Sequence, residues 1–248
     1  MPGVLKELVK HVPTVLFQVV EWHELASELP KLSRRLLQKE GYQQIFEHHR
    51  NFLAPFHISL TQTPLLHEGY KVSKDTAEKC LHLYFAQLYS KEGLFLDLRS
   101  QHFVNDAPDL KWHPSGLWTM LDEDFRQGLL AVYEGFYLEN EDVYFEGLKR
   151  IGLVADDWSD QDRKKLGELF RAQFGASLTS EMSFDLEHFR SSIIKLTDFL
   201  LKKKVKITKD FLYLGIYLVT LYSHLEQSHE KLPVKDIYLK VRKTFLPQ

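Results

Sequence analysis

The chain has 248 residues, 44% of them hydrophobic and 27% charged, which excludes a largely disordered protein and leaves room for one large domain or two small ones. Lys plus Arg number 32 against 34 Asp plus Glu, a net charge of -2, so the chain lacks the global positive excess of a protein that lives on nucleic acid or on an anionic bilayer. The single cysteine, Cys80, cannot form an intrachain disulfide and requires no oxidising compartment.

Taken in chain order, residues 1–35 read as an N-terminal helical segment. Its only candidate for a signal-peptide core is interrupted by Lys6, Glu7 and Lys10, so no export signal is expected. Helical character continues to Phe52, with Pro13 and Pro30 suited to first turns rather than interiors. Residues 36–248 read as a single helical domain. Between 57 and 119 the helical period lapses: HISLTQT from His57, the stretches 64–72 and 93–104, and 110–119 show short apolar runs and breakers, predicting two to four short strands. Within that region Lys74 to Ser90 is the exception, a helix with a stripe of Ala77, Cys80, Leu81, Tyr84 and Leu88, capped by Ser73 and stopped by Gly93.

Further helices follow from the same period. Phe125, Leu129, Val132, Tyr133 and Phe136 mark one; Phe145, Leu148 and Ile151 mark a shorter one ending at Gly152. Leu166, Leu169, Phe170 and Phe174 mark a third, capped by Ser159 or Asp160 and ended by Gly175. Leu186, Phe189, Ile193, Leu196 and Leu200 line a fourth. The segment from Phe211 to Tyr222, FLYLGIYLVTLY, is apolar on all sides and belongs inside the protein, being well short of the roughly 20 residues that span a bilayer. Pro233 opens a last helix through Ile237 and Val241. The fold class is therefore mainly α with a small β or irregular insert, and the expected location is cytoplasmic, with peripheral contact to a membrane left open.

Candidate chemistry is sparse. Glu226 and His229 have the i, i+3 spacing of a di-iron helix pair, but no second Glu-x-x-His exists, so a metal-binding helical-bundle oxidase is only an alternative and no metal is expected. His48 and His49 are adjacent and point apart on a helix, and Glu78 with His82 reads as a surface pair. Glycine patterns for phosphate loops and the G-x-S-x-G elbow are absent, and Cys80 sits on an apolar face, so no nucleotide cofactor and no nucleophile is indicated. The run Lys202, Lys203, Lys204, Lys206 and Lys209 suits lipid headgroups or, as the blander reading, the solvation of a helix C-terminus.

The order of elements from about Leu36 to Leu225 resembles the C-terminal lobe of the UbiB-type atypical kinases, a family tied to ubiquinone biosynthesis and lipid homeostasis. The resemblance rests on the segment beginning Gly93-Leu-Phe, on LDEDFRQGLL from Leu121 with Arg126 in the arginine place, and on the succession of C-terminal helices. It implies a kinase-like C-lobe stripped of its chemistry. Aligned on Gly93, Leu98 takes the place of the catalytic aspartate, Ser100 that of the second histidine, and Phe103 that of the metal-binding asparagine. Pro114-Ser115-Gly116 takes the place of Asp-Phe-Gly, and Lys39-Glu40-Gly41 that of Glu-Leu-Asp. Leu98, Phe103 and Pro114 can neither orient a nucleophile nor hold magnesium.

The resemblance thus implies a pseudokinase-like module that binds a lipid, an isoprenoid or a protein partner, and is more consistent with a non-enzyme than an enzyme. An active kinase with Asp97, Asn105 and Asp106 in a shifted register is the alternative. Leu96, Leu98, Phe103, Trp112, Leu117 and Trp118 are the expected apolar cleft, covered by the stripe of Val4 to Trp22 or, through that same helix, by a second copy of the chain. The 17 Phe, 11 Tyr and 4 Trp favour such a binding role.

Overall fold

The computed structural model describes residues 39–64, 70–155, 157–172 and 181–246. The segment Val4 to Trp22, the expected cover of the apolar cleft, lies outside the described residues. In chain order the elements are α1 (Lys39–Phe52), a 3-10 turn (Ala54–Phe56), β1 (Ile58–Leu60), α2 (Lys74–Tyr89), β2 (Leu94–Phe95), a 3-10 turn (Ser100–His102), β3 (Phe103–Asp106), β4 (Asp109–Trp112) and β5 (Trp118–Thr119). Then come α3 (Glu123–Tyr137), α4 (Glu141–Arg150), α5 (Asp160–Arg171), α6 (Leu186–Lys202), α7 (Lys209–Leu225), a 3-10 turn (Glu226–Ser228) and α8 (Val234–Phe245). The protein is mainly helical with a small sheet content, as the hydrophobic period predicts. Among the described residues there are five short strands rather than two to four.

Contacts divide the chain into two compact units that interleave along the sequence. The first holds α3 to α6 and the opening half of α7; the second holds α1, α2, all five strands, residues 181–184, the closing half of α7, and α8.

In the first unit, side-chain caps start α3, α4, α5 and α6. Asp122 accepts from the backbone N–H groups of Asp124 and Phe125, Asn140 from Val143, Ser159 from Asp162 and Asp185 from His188. Each cap satisfies donors that an α-helix leaves orphaned, worth about 1 kcal/mol apiece. Helices α3 and α4 form an antiparallel pair closed by glycines: a Cβ on Gly147 would lie 2.6 Å from the Val132 nitrogen and 2.7 Å from the Gly128 oxygen, and one on Gly135 would lie 2.7 Å from the Asn140 oxygen. Helix α5 joins this pair through Tyr144, whose hydroxyl donates to the Gly167 carbonyl at 3.0 Å while the Arg171 guanidinium lies 4.6 Å from its ring centre.

In the second unit β4 is the central strand of a three-stranded sheet in the order β1-β4-β3. It runs parallel to β1, with Ile58 opposite Leu110, and antiparallel to β3, with Phe103 opposite Trp112. Parallel neighbours need a crossover, which α2 supplies. The Phe103 and Trp112 rings stack at 5.8 Å as a cross-strand pair, and both are fully buried. Helix α2 begins at the expected Ser73, whose hydroxyl accepts from the Thr76 N–H while the Thr76 hydroxyl accepts from the Ser73 N–H. It ends at Tyr89, four residues before Gly93, because Ser90 is already extended; Gly93, at φ 122, instead turns the chain into β2.

Candidate functional site

The segment 94–102, where the kinase-like resemblance locates a catalytic loop, is extended to Arg99 before its closing 3-10 turn and is held by side chains rather than by a continuous sheet. Gln87 of α2 acts as a strand end: its Oε1 accepts from the Phe95 N–H at 2.8 Å and its Nε2 donates to the Phe95 carbonyl at 3.3 Å. The same Nε2 donates to the Tyr217 hydroxyl at 2.7 Å, which passes a bond to the Tyr84 carbonyl at 3.2 Å. Beyond Phe95 the partner is the closing half of α7. Thr220 Oγ1 donates to the Leu96 carbonyl at 2.8 Å and accepts from the Leu98 N–H at 3.2 Å. His224 Nδ1 donates to the Leu98 carbonyl at 2.9 Å. Tyr217, Thr220 and His224 share one helical face: Thr220 and His224 satisfy the backbone of the buried segment, and Tyr217 anchors the Gln87 side chain that holds Phe95.

The His224 tautomer follows from its partners. A carbonyl can only accept, so Nδ1 carries the proton and Nε2 accepts from the Tyr70 hydroxyl at 3.2 Å. Full burial drives the imidazole pKa down to about 4, against the smaller opposing effect of the Leu98 bond, so this histidine is neutral at pH 7.

Asp97 and Leu98 are both buried, with Asp97 1% exposed. The Asp97 carboxylate is fully engaged within its own loop. Oδ1 accepts from Arg99 Nε at 2.8 Å and from the Arg99 backbone N–H at 3.3 Å; Oδ2 accepts from Arg99 Nη2 at 2.7 Å and from His102 Nε2 at 3.0 Å. Burial pushes this carboxyl up, but the bonds and charges of Arg99 and His102 outweigh it and hold the acid below the ordinary carboxylate range. The pair is a bidentate fork closed between residues i and i+2 of an extended chain, where both side chains leave the same face.

The other positions of interest lie in the same unit. Leu96, Leu98, Phe103 and Trp112 are fully buried, Leu117 and Trp118 nearly so. Phe103 tilts against His224 at 4.8 Å, Trp112 meets Phe95 edge-on at 5.5 Å, and Trp118 covers Gly41, where a Cβ would lie 2.7 Å from its ring. Pro114 is buried, its carbonyl 3.5 Å from the Tyr42 hydroxyl. Asn105 and Asp106 are exposed at the end of β3, and Asp106 pairs with Lys111 at 2.6 Å.

Three histidine expectations change. His48 and His49 do not point apart: their rings meet edge-on at 5.4 Å. His82 is buried rather than a surface partner of Glu78; it stacks on Phe56 at 5.4 Å, and its Nδ1 bonds the Glu78 carbonyl. Glu226 and His229 do not share an α-helical face, because α7 stops at Leu225 and His229 closes the following 3-10 turn at φ 54. Among the described residues no group of three His, Cys, Asp or Glu side chains is arranged to hold a metal ion.

Arg99, His102, Gln87, Thr220 and His224, which organise the loop, escape a search for catalytic motifs. Two signals point to them: the alternation of Asp97 and Arg99 on one face of an extended run, and the polar residues Thr220 and His224 on a mostly apolar helix. No family model matches this chain, and no curated protein matches it.

Proposed function

We propose that the chain is a catalytically inert, kinase-like module that binds a lipid or isoprenoid ligand or a protein partner. The observation that carries the reading is the state of Asp97, the one carboxylate within segment 94–102. A general base needs an oxygen with a free lone pair within reach of the substrate proton, and a magnesium ligand needs an oxygen turned to the ion. Both oxygens of Asp97 are taken by Arg99 and His102. Leu98, Phe103 and Pro114, the positions that the resemblance assigns to the acid and the metal ligands, are packed into the core. The buried polar groups of this loop act in folding, which leaves recognition of a partner as the role of the unit.

Calorimetric titration of the full chain with ATP and magnesium is expected to give no binding heat. Asp97→Asn is expected to leave that result unchanged while lowering stability by about 3 kcal/mol, because it strands the Arg99 guanidinium beside a neutral amide. Magnesium-dependent ATP binding abolished by Asp97→Ala or Asp106→Ala would overturn the reading and favour the shifted register. Native mass spectrometry separates the two kinds of partner: a co-purified isoprenoid or acyl lipid identifies the first, and a ligand-free chain directs the search to the second.

A further inference from the structure

The turn between α6 and α7 carries five lysines in the eight positions from Lys202 to Lys209 and no acidic residue. A cation at the end of α6 complements the helix dipole, but that effect falls off within one turn and does not call for five. Lys203 is used by the fold: its Nζ bonds Asp162 Oδ1 at 2.6 Å and lies 5.8 Å from the centre of the Trp158 ring, which meets Phe199 edge-on at 5.7 Å. That bond ties the lysine turn to the first turn of α5, where Lys164 and Lys165 are exposed. Of the nearby acids, Asp162 is taken by Lys203, and Glu168 pairs with Lys165 at 3.7 Å. Asp157, Asp160 and Asp198 are exposed.

Lys204 supplies an independent observation. It stands at φ 57, just past the end of α6, where its N–H bonds the Leu201 carbonyl and the Val205 N–H bonds the Leu200 carbonyl, both at 3.0 Å. Glycine takes this left-handed closing position without steric cost. A lysine therefore occupies a place where local folding favours glycine, flanked by the exposed Lys202 and Lys206.

We propose that the α6–α7 turn is an electrostatic docking point for an anionic lipid surface, with Lys202 and Lys204 meeting headgroup phosphates and the half-buried Trp158 at the interfacial level. Lysines clustered on one turn give diffuse attraction to a charged plane, and an indole beside them suits the headgroup region. Nucleic acid fits less well: the turn has no arginine fork for phosphate or base edges, and the chain as a whole carries a net charge of -2. The inference is independent of the kinase-like reading, and either can fail alone.

Co-sedimentation of the full chain with vesicles of about 30% phosphatidylserine in phosphatidylcholine tests it. Binding is expected to these vesicles, not to pure phosphatidylcholine, and to be lost at about 0.5 M salt. Replacing Lys202 and Lys204 together by alanine is expected to weaken it roughly 25-fold, at about fivefold per lysine. Lys204→Gly separates charge from folding: it is expected to raise the thermal midpoint while weakening vesicle binding about fivefold. Absence of binding by the wild-type chain, equal binding by the double variant, or tighter binding to an oligonucleotide than to the vesicles would overturn the proposal.

Discussion

Acidification from pH 7 to about 4 is expected to unfold the second unit through its buried histidines. His49, His82 and His224 each have an imidazole pKa lowered to about 4, chiefly by burial. The backbone bonds to Ile45, Glu78 and Leu98 oppose the shift without cancelling it, and for His82 the charge of Lys240 adds to it. In the unfolded chain a histidine titrates near 6.5. The folded state therefore binds protons less readily than the unfolded one; the stabilisation is full above about pH 6.5 and is lost as the pH falls toward the folded value. Each group costs about 3 kcal/mol by pH 4, and three together rival the whole stability of a typical domain, roughly 5–15 kcal/mol. Urea midpoints measured between pH 7 and 5 should fall steeply. His82→Leu should flatten the profile by about a third at little cost at pH 7, since its Nε2 is buried without a hydrogen-bond partner. Constant midpoints across this range would show that these imidazoles stay protonatable in the fold. Asp97 acts in a separate window: its pKa is depressed, so its contribution is present above the ordinary carboxylate value and is lost only as the pH falls below about 3.9.

Gly147→Ala and Gly135→Ala are each expected to destabilise the first unit by about 3 kcal/mol. The atoms that an added methyl meets are backbone: the Val132 nitrogen and Gly128 oxygen for Gly147, the Tyr144 Cα and Asn140 oxygen for Gly135. Backbone cannot swing aside as a side-chain tip can, so α3 and α4 must separate and lose the contacts between them. Gly215 in α7 is the internal control. An added Cβ there meets nothing within 4 Å, so Gly215→Ala should stabilise by about 0.5–1 kcal/mol through helix propensity alone. Thermal unfolding of the three variants checks the contrast, and a Gly147→Ala protein as stable as the wild type would mean that the α3–α4 approach is looser than described.

Apart from α7, the helices were legible because each buries an apolar stripe. The period of Phe125, Leu129, Val132 and Phe136 in α3, and the Ser73 and Ser159 caps, are local signals that tertiary structure leaves intact. Gly152 was legible for the same reason, closing α4 at φ 79. The β1–β4 pairing was not: it joins Ile58 to Leu110 across α2, and three-residue strands carry too short an alternation to set a register. Two interleaved units escaped because one of their boundaries falls inside α7, between Ile216 and Tyr217, with no break in the apolar run. The candidate site was half legible. Leu98, Phe103 and Pro114 lack functional groups on sight, whereas the capture of Asp97 by Arg99 and His102 depends on side-chain directions that spacing alone does not settle.

Direct titration of the Asp97 carboxyl by carbon NMR, with and without magnesium and ATP, tests the central claim that this group belongs to the fold and not to catalysis. The Asp97 carboxylate is expected to stay ionised at every pH at which the protein remains folded, with no titration step before acid unfolding and a resonance unmoved by magnesium or nucleotide. A carboxyl that takes up its proton while the protein is still folded, or whose resonance shifts on addition of magnesium and ATP, would contradict it and place Asp97 in a working site.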